Sequence, residues 1–188
     1  MTGRAHFDLG RRWRALRGAQ DGASAVEFAL LVPVMLLILV AILDLGSNIL
    51  LRLSLTQSLS SATNYALVSA DSVSASAGAA LAGRIGTLVP AEKDVTISIN
   101  NGPSYTRTAG SVSTGGTASN ADKCWCPTGT AEAVNWGSAT SCGAACADGS
   151  RAGKYVVIAT SQTYTPIFTT YGLVPAGPVV SHAMVQVK

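Results

Sequence analysis

Large aromatic and charged side chains are in short supply in this 188-residue chain: Phe, Trp and Tyr make up 6 % of it, and Asp, Glu, Lys and Arg 12 %. Ala, Gly, Ser and Thr take their place, so the part that folds can bury only a thin core. Thin cores need outside support from disulfides, a partner or a membrane. Histidine is scarcer still, with His6 at one end and His182 near the other, which leaves no imidazole cluster to hold a metal or relay protons. No Gly-x-Ser-x-Gly elbow occurs, and no pair of carboxylates has an evident task. Asp71, Glu92 and Asp94 fall where helices and strands should end, in contact with solvent. The sequence displays no catalytic site and no cofactor site. Net positive charge is also missing from the part expected to fold. The formal net charge is +3, yet Arg4, Arg11, Arg12, Arg14 and Arg17 all precede Gly22, against Asp8 and Asp21. A nucleic-acid binder carries its charge on the folded part, which argues against nucleic acid as a partner.

Behind this basic leader (residues 1–22) comes an apolar run from Ala23 to Leu43. It holds about 21 residues, which at roughly 1.5 Å each match a hydrocarbon core about 30 Å thick. After Leu43 the next basic residues are only Arg52 and Arg84. Lys and Arg concentrate on the cytoplasmic side of a span, so the N-terminus should stay inside and the C-terminal half should cross. The Arg11-Arg12 pair admits a twin-arginine export signal, but the surrounding residues match one poorly. A cleaved secretory signal wants small residues after the apolar run. Asp44-Leu45-Gly46-Ser47-Asn48 stands there instead, without Ala-x-Ala. A buried helix of a globular protein leaves the charge asymmetry unexplained. A plain signal anchor explains everything except Glu27.

A charged side chain at mid-bilayer costs about 2.5–3.5 kcal/mol, and less near the interface. An anchor alone would carry Leu or Ala at position 27. A carboxylate there calls for a cation, and the closest available is a freshly made N-terminal amine. If a peptidase cuts after Gly22, Ala23 becomes the first residue, and Glu27 can meet the freed amine of a neighbouring subunit. Glycine leaves that scissile bond unhindered. Pro33, inside the run, removes a helical hydrogen bond. It is compatible with a harmless kink and with a helix softened for extraction from the bilayer.

Leu45, Ile49, Leu53, Leu59, Ala62 and Ala66 then recur at helical spacing, with polar residues between them. This pattern predicts an amphipathic helix to about Ala70, its apolar face turned to later strands. Val73, Ala77, Leu81, Ile85 and Leu88 predict a second, shorter helical stretch ending before Pro90. The helical region as a whole is 44–90. Periodicity then changes to strict alternation in Asp94–Ile99, a half-buried strand. Asn100-Asn101-Gly102-Pro103 is a turn signal, and Tyr105–Thr108 can return as a hairpin. Lys154–Tyr164 and Val179–Val187 read as further strands joined by a Pro/Gly-bearing connection, which makes residues 91–188 an antiparallel sheet domain.

Between them, residues 109–153 are mostly Gly, Ser, Thr, Ala and Asn, and a structureless loop of about 45 residues is unusual in a compact domain. Cys124, Cys126, Cys142 and Cys146 all fall within it. Zinc would favour wider spacing than Cys-x-Cys, and an exported domain meets oxidising conditions, so disulfides are expected. Cys124 and Cys126 are too close to pair with each other, which leaves two connectivities open, each crossing to Cys142 and Cys146. Closing loops of roughly 15–20 residues should contribute about 3 kcal/mol each in the chain-entropy account. Trp125 and Trp136 should cover the disulfides as a miniature core.

Gly22, four intervening residues and Glu27-Phe28 resemble the prepilin-peptidase site of type IV pilins and pseudopilins. More narrowly, the run Gly22 to Pro33, with Asp44-Leu45-Gly46 beyond the span, is similar to the TadE-like minor pilins of Tad (Flp) pilus systems. That family often has Glu where Asp44 stands. Tyr164-Thr165-Pro166-Ile167-Phe168, the proline-bearing link and the closing strand also look like the C-terminal part of such proteins. The resemblance implies an α+β, pilin-like fold: a long N-terminal helix, half in the membrane, packed on a small antiparallel sheet, here with a disulfide-stapled loop. It implies processing at Gly22, Ala23, Glu27 and Phe28, with the chain single-pass in a bacterial inner membrane and its C-terminal part periplasmic or in the pilus. The partners it implies are a prepilin peptidase, major and other minor pilins, and assembly-platform proteins. A different class also fits the residues: an uncleaved, membrane-tethered binding or adhesion module whose cysteine loop contacts a ligand.

Overall fold

The computed structural model describes residues 21–168 and 174–188. The leader up to residue 20, His6 included, lies outside the described residues, as does part of the connection before the last strand.

Helix α1, Asp21–Val68, is 48 residues long and passes through Pro33 without ending. At 1.5 Å per residue it extends about 72 Å. Its lower half touches little else, and its upper half lies against a sheet. The face turned to the sheet carries Leu55, Leu59, Ala62 and Ala66, continued downward by Asn48 and Asp44. Leu59, Ala62 and Ala66 meet the expectation, but Leu45, Ile49 and Leu53 do not: they are 55 %, 48 % and 54 % exposed. The reason is that this stretch has two candidate faces, and the head binds the more polar one. Lys93, itself buried, donates from Nζ to Ser54 O, Ser54 Oγ and Ser58 Oγ at 2.7–2.9 Å. A set of directional bonds selects a face that hydrophobicity alone does not.

A short 3-10 turn, Ala70–Ser72, turns the chain towards helix α2, Gly78–Leu88. Leu81, Ala82 and Ile85 point into the core together with Val73, which precedes the helix. α2 approaches the sheet closely because its contact residues are small. A Cβ at Gly86 would run into the Tyr105 ring. The end of α2 and the segment after it are gathered by Arg107, which donates to Gly86 O, Val89 O, Pro90 O and Lys93 O at 2.7–3.1 Å. One guanidinium thus closes the helix end.

The sheet has strands β1 (Asp94–Ile99), β2 (Ser104–Thr108), β3 (Ser111–Gly115), β6 (Tyr155–Tyr164) and β7 (Gly177–Gln186), all antiparallel, in the order β3-β2-β1-β6-β7. A small ribbon, β4 (Thr128–Gly129) with β5 (Val134–Asn135), stands apart from it. Register puts Val95 opposite Thr160, Ile97 opposite Ile158 and Ile99 opposite Val156, on the face covered by both helices. Pro178 is tolerated in β7 because that strand is an edge. β3 was not expected. Every residue in it is exposed, so it has no buried face to impose alternation on the sequence. Ala109 and Gly110, with φ of 49° and 80°, make the tight turn that sends the chain back along β2.

Disulfides join Cys124 to Cys142 and Cys126 to Cys146, with Cα–Cα distances of 5.0 and 5.6 Å. The loop they brace is seated on the sheet by Asn100. Its Nδ2 donates to Asn120 O, Ala121 O and Lys123 O, while its Oδ1 accepts from the Tyr155 N–H. Trp125 stacks edge-on to Trp136 at 6.1 Å, and Trp136 to Tyr155 at 6.5 Å. The miniature core therefore reaches into the first residue of β6.

Candidate functional site

Gly22, Ala23, Glu27 and Phe28 all lie in the first turns of α1. Between Ser24 and Leu43 only Val32, Val40 and Ala41 are partly covered; the rest of that stretch is exposed around the whole circumference. Glu27 is among the exposed residues, and among the described residues it forms no ion pair. Phe28 is open to 69 %. A Cβ at Gly22 would meet nothing within 4 Å, so packing within the chain gives no reason for glycine there. The fold therefore presents Gly22, Glu27 and Phe28 without enclosing them. Among the described residues, α1 is the helix long and apolar enough to cross a membrane.

The head begins abruptly at Asp44, the first buried side chain of α1. Its carboxylate accepts the Ile167 N–H on Oδ1 at 2.8 Å and the Phe168 N–H on Oδ2 at 3.4 Å. Its main-chain oxygen accepts the Tyr164 hydroxyl at 2.8 Å and the Ser47 hydroxyl at 2.9 Å, and those two hydroxyls lie 3.0 Å apart. Leu55, Tyr164 and Val179 form a small apolar cluster above this knot. The sequence showed Asp44 only as a residue after the span. What it could not show is that the corner after β6, some 120 residues on, docks on it. Part of the signal lies in the run Tyr164–Phe168 itself.

The four cysteines lie at the opposite end of the sheet from this knot, next to the start of β6 and the end of β7. Trp125 exchanges main-chain bonds with Gly153, N to O at 2.9 and 3.1 Å. His182 sits in β7, away from the cysteines and opposite Ala159. No group of three or more His, Cys, Asp and Glu placed to hold a metal ion occurs among the described residues.

A long apolar N-terminal helix, half clear of a small antiparallel sheet that packs on its upper part, defines an α+β architecture whose bare half is long and apolar enough to cross a membrane. Residues 22–63, which span the bare half of α1 and most of the half that meets the sheet, match the family model of TadE-like proteins. No curated protein and no solved structure matches the chain. Over that range the helix is similar to that of TadE-like proteins, a family associated with Tad pili. Gly22, Glu27, Phe28, Pro33 and Asp44 fall inside the matched range, while Tyr164–Phe168 lies outside it.

Proposed function

We propose that the chain is a minor pilin or pseudopilin of a Tad-type pilus assembly system. A prepilin peptidase removes the leader after Gly22, and Ala23 becomes the new N-terminus. The helix then anchors the protein in the inner membrane with its head outside, and the Glu27 carboxylate receives the amine of an adjacent pilin as subunits leave the bilayer. The protein joins or primes fibre assembly and carries out no chemistry of its own.

One observation carries this reading: the lower half of α1 is apolar on every side, bare of the head, and interrupted by a single acid that the fold leaves unpaired. The glycine at 22, which packing does not require, supports the cleavage step. The exposed stripe Leu45, Ile49, Leu53 supports the assembly step, because it extends the apolar surface of the span upward along the helix, where neighbouring helices can pack. The test is N-terminal sequencing of protein recovered from membranes of cells with and without a prepilin peptidase. The expected mature chain begins at Ala23 only when the peptidase is present, and Gly22→Ala slows its appearance. Glu27→Leu should still insert but fail to enter fibres. A chain that keeps its initiator methionine, with fibres unaffected by Glu27→Leu, would leave a tethered binding module as the better account.

A further inference from the structure

The corner that follows β6 has an unusual make-up. Pro166 is buried and has no N–H, while the N–H groups of Ile167 and Phe168 both end on the Asp44 carboxylate. Three successive residues thus offer no free main-chain donor to their surroundings. The side chains of Ile167 and Phe168 are apolar and open, to 62 % and 37 %. Phe168 shares a groove with Pro33, Leu36, Leu37 and Val40 of α1. Those helix residues lie 4–11 positions below Asp44, about 6–16 Å further down at 1.5 Å each. They belong to the stretch that has to sit in hydrocarbon if α1 crosses the membrane.

We infer that the Pro166–Phe168 corner is a lipid-contacting foot, by which the head dips into the outer boundary of the bilayer beside its own span. This rests on reading α1 as a membrane span. Hydrocarbon accepts main chain only where its polar groups are satisfied, and bare donors there are costly. Asp44 meets that requirement for both N–H donors from within the helix, which accounts for a carboxylate buried at the top of the apolar run. In water the same arrangement would leave two large apolar side chains exposed. The occupant is therefore the region between acyl chains and headgroups, the depth at which apolar side chains of interfacial segments settle. The foot also fixes the tilt of the head, because it supports the head at a second point beside the helix.

The experiment uses the full chain in phosphatidylcholine/phosphatidylglycerol vesicles, with a nitroxide attached at Ile167→Cys, Leu37→Cys or Thr163→Cys in turn. Power saturation with oxygen and with a water-soluble nickel chelate reports the depth of each label. The expected result puts the Leu37 label in hydrocarbon, Thr163 in water, and Ile167 about 5–10 Å into the interface. Asp44→Ala should move the Ile167 label into water while Leu37 stays in lipid, and Phe168→Ser, which leaves the Asp44 bonds in place, should make it shallower. Leu37 in lipid with Ile167 as accessible to nickel as Thr163 overturns the foot and leaves the span intact. Leu37 in water overturns both. An Ile167 label shielded from both reagents, and released on dilution with lipid, would show a second copy as the occupant and overturn the lipid assignment.

Discussion

Residues 24–43 and 44–68 belong to one unbroken helix, yet they obey different rules. The first half is apolar all round and has almost no contact with its own chain. The second is apolar on two stripes and polar between them, and the sheet takes the face that offers Ser54, Ser58 and Asp44 as well as Leu55 and Leu59. Helix stability in the second half comes from the head. In the first half it must come from the surroundings, since the chain covers little of those side chains. A single element can therefore serve two environments when the change of environment coincides with the residue where hydrogen bonding to the rest of the chain begins.

The sharpest way to break this comparison is to truncate one side chain in each environment. Ile158→Ala removes a fully buried contact between sheet and helices and should lower the unfolding free energy of the head by about 2–5 kcal/mol. Leu36→Ala should leave that unfolding within about 0.5 kcal/mol of the parent, as substitutions away from a core do. Both are read by denaturant melts in the same detergent, and a large loss from Leu36→Ala would mean that the two halves are coupled.

A smaller effect comes from Asn100→Gly, which keeps the left-handed backbone, φ 54°, but removes the side-chain bonds to Asn120, Ala121, Lys123 and Tyr155. The expected loss is about 1–3 kcal/mol. Hydrogen exchange should quicken in the cysteine loop while protection in the lower half of α1 stays unchanged.

The smallest is a pH effect confined to the head. Burial, with a lesser contribution from the Asp148 charge, raises the Tyr155 phenol above its ordinary value of 10.0. The folded protein then holds a proton that the unfolded chain gives up, so this stability is full below pH 10 and is lost as pH rises through the raised value. Burial lowers Lys93 from 10.5, which makes the unfolded chain the better proton binder just below that pH. The Lys93 contribution therefore rises with pH, opposite in sign. Tyr155→Phe should flatten the fall of stability above pH 10, and Lys93→Met should remove the rise just below pH 10.5. Thermal melts across that range check both.

Much of this architecture could be read from residue order, and the misses share a cause. Alternation in Asp94–Ile99 and the run Lys154–Tyr164 announced strands because each buries a face. β3 buries none and left no trace. Leu45, Ile49 and Leu53 were the more regular apolar stripe on α1, but the partner face was chosen by Lys93 and Tyr164, whose positions depend on distant folding. Asn100 carried a turn signal, and its second task of holding the loop became visible only once Tyr155 and residues 120–123 were brought to it. The stretch Gly22–Phe28 is the opposite case. No packing within the chain accounts for the glycine at 22 or the exposed Glu27 and Phe28, and the processing read from them stands as proposed.

The two sulfur links overlap, one closing 124–142 and the other 126–146. A pull applied along the polypeptide from β3 to β6 therefore crosses through covalent bonds and bypasses residues 127–141 altogether. A cut anywhere in that span would leave both pieces fastened to the same head. In this largely exposed loop, continuity of the head rests on two sulfur bonds and not on the peptide bonds between them.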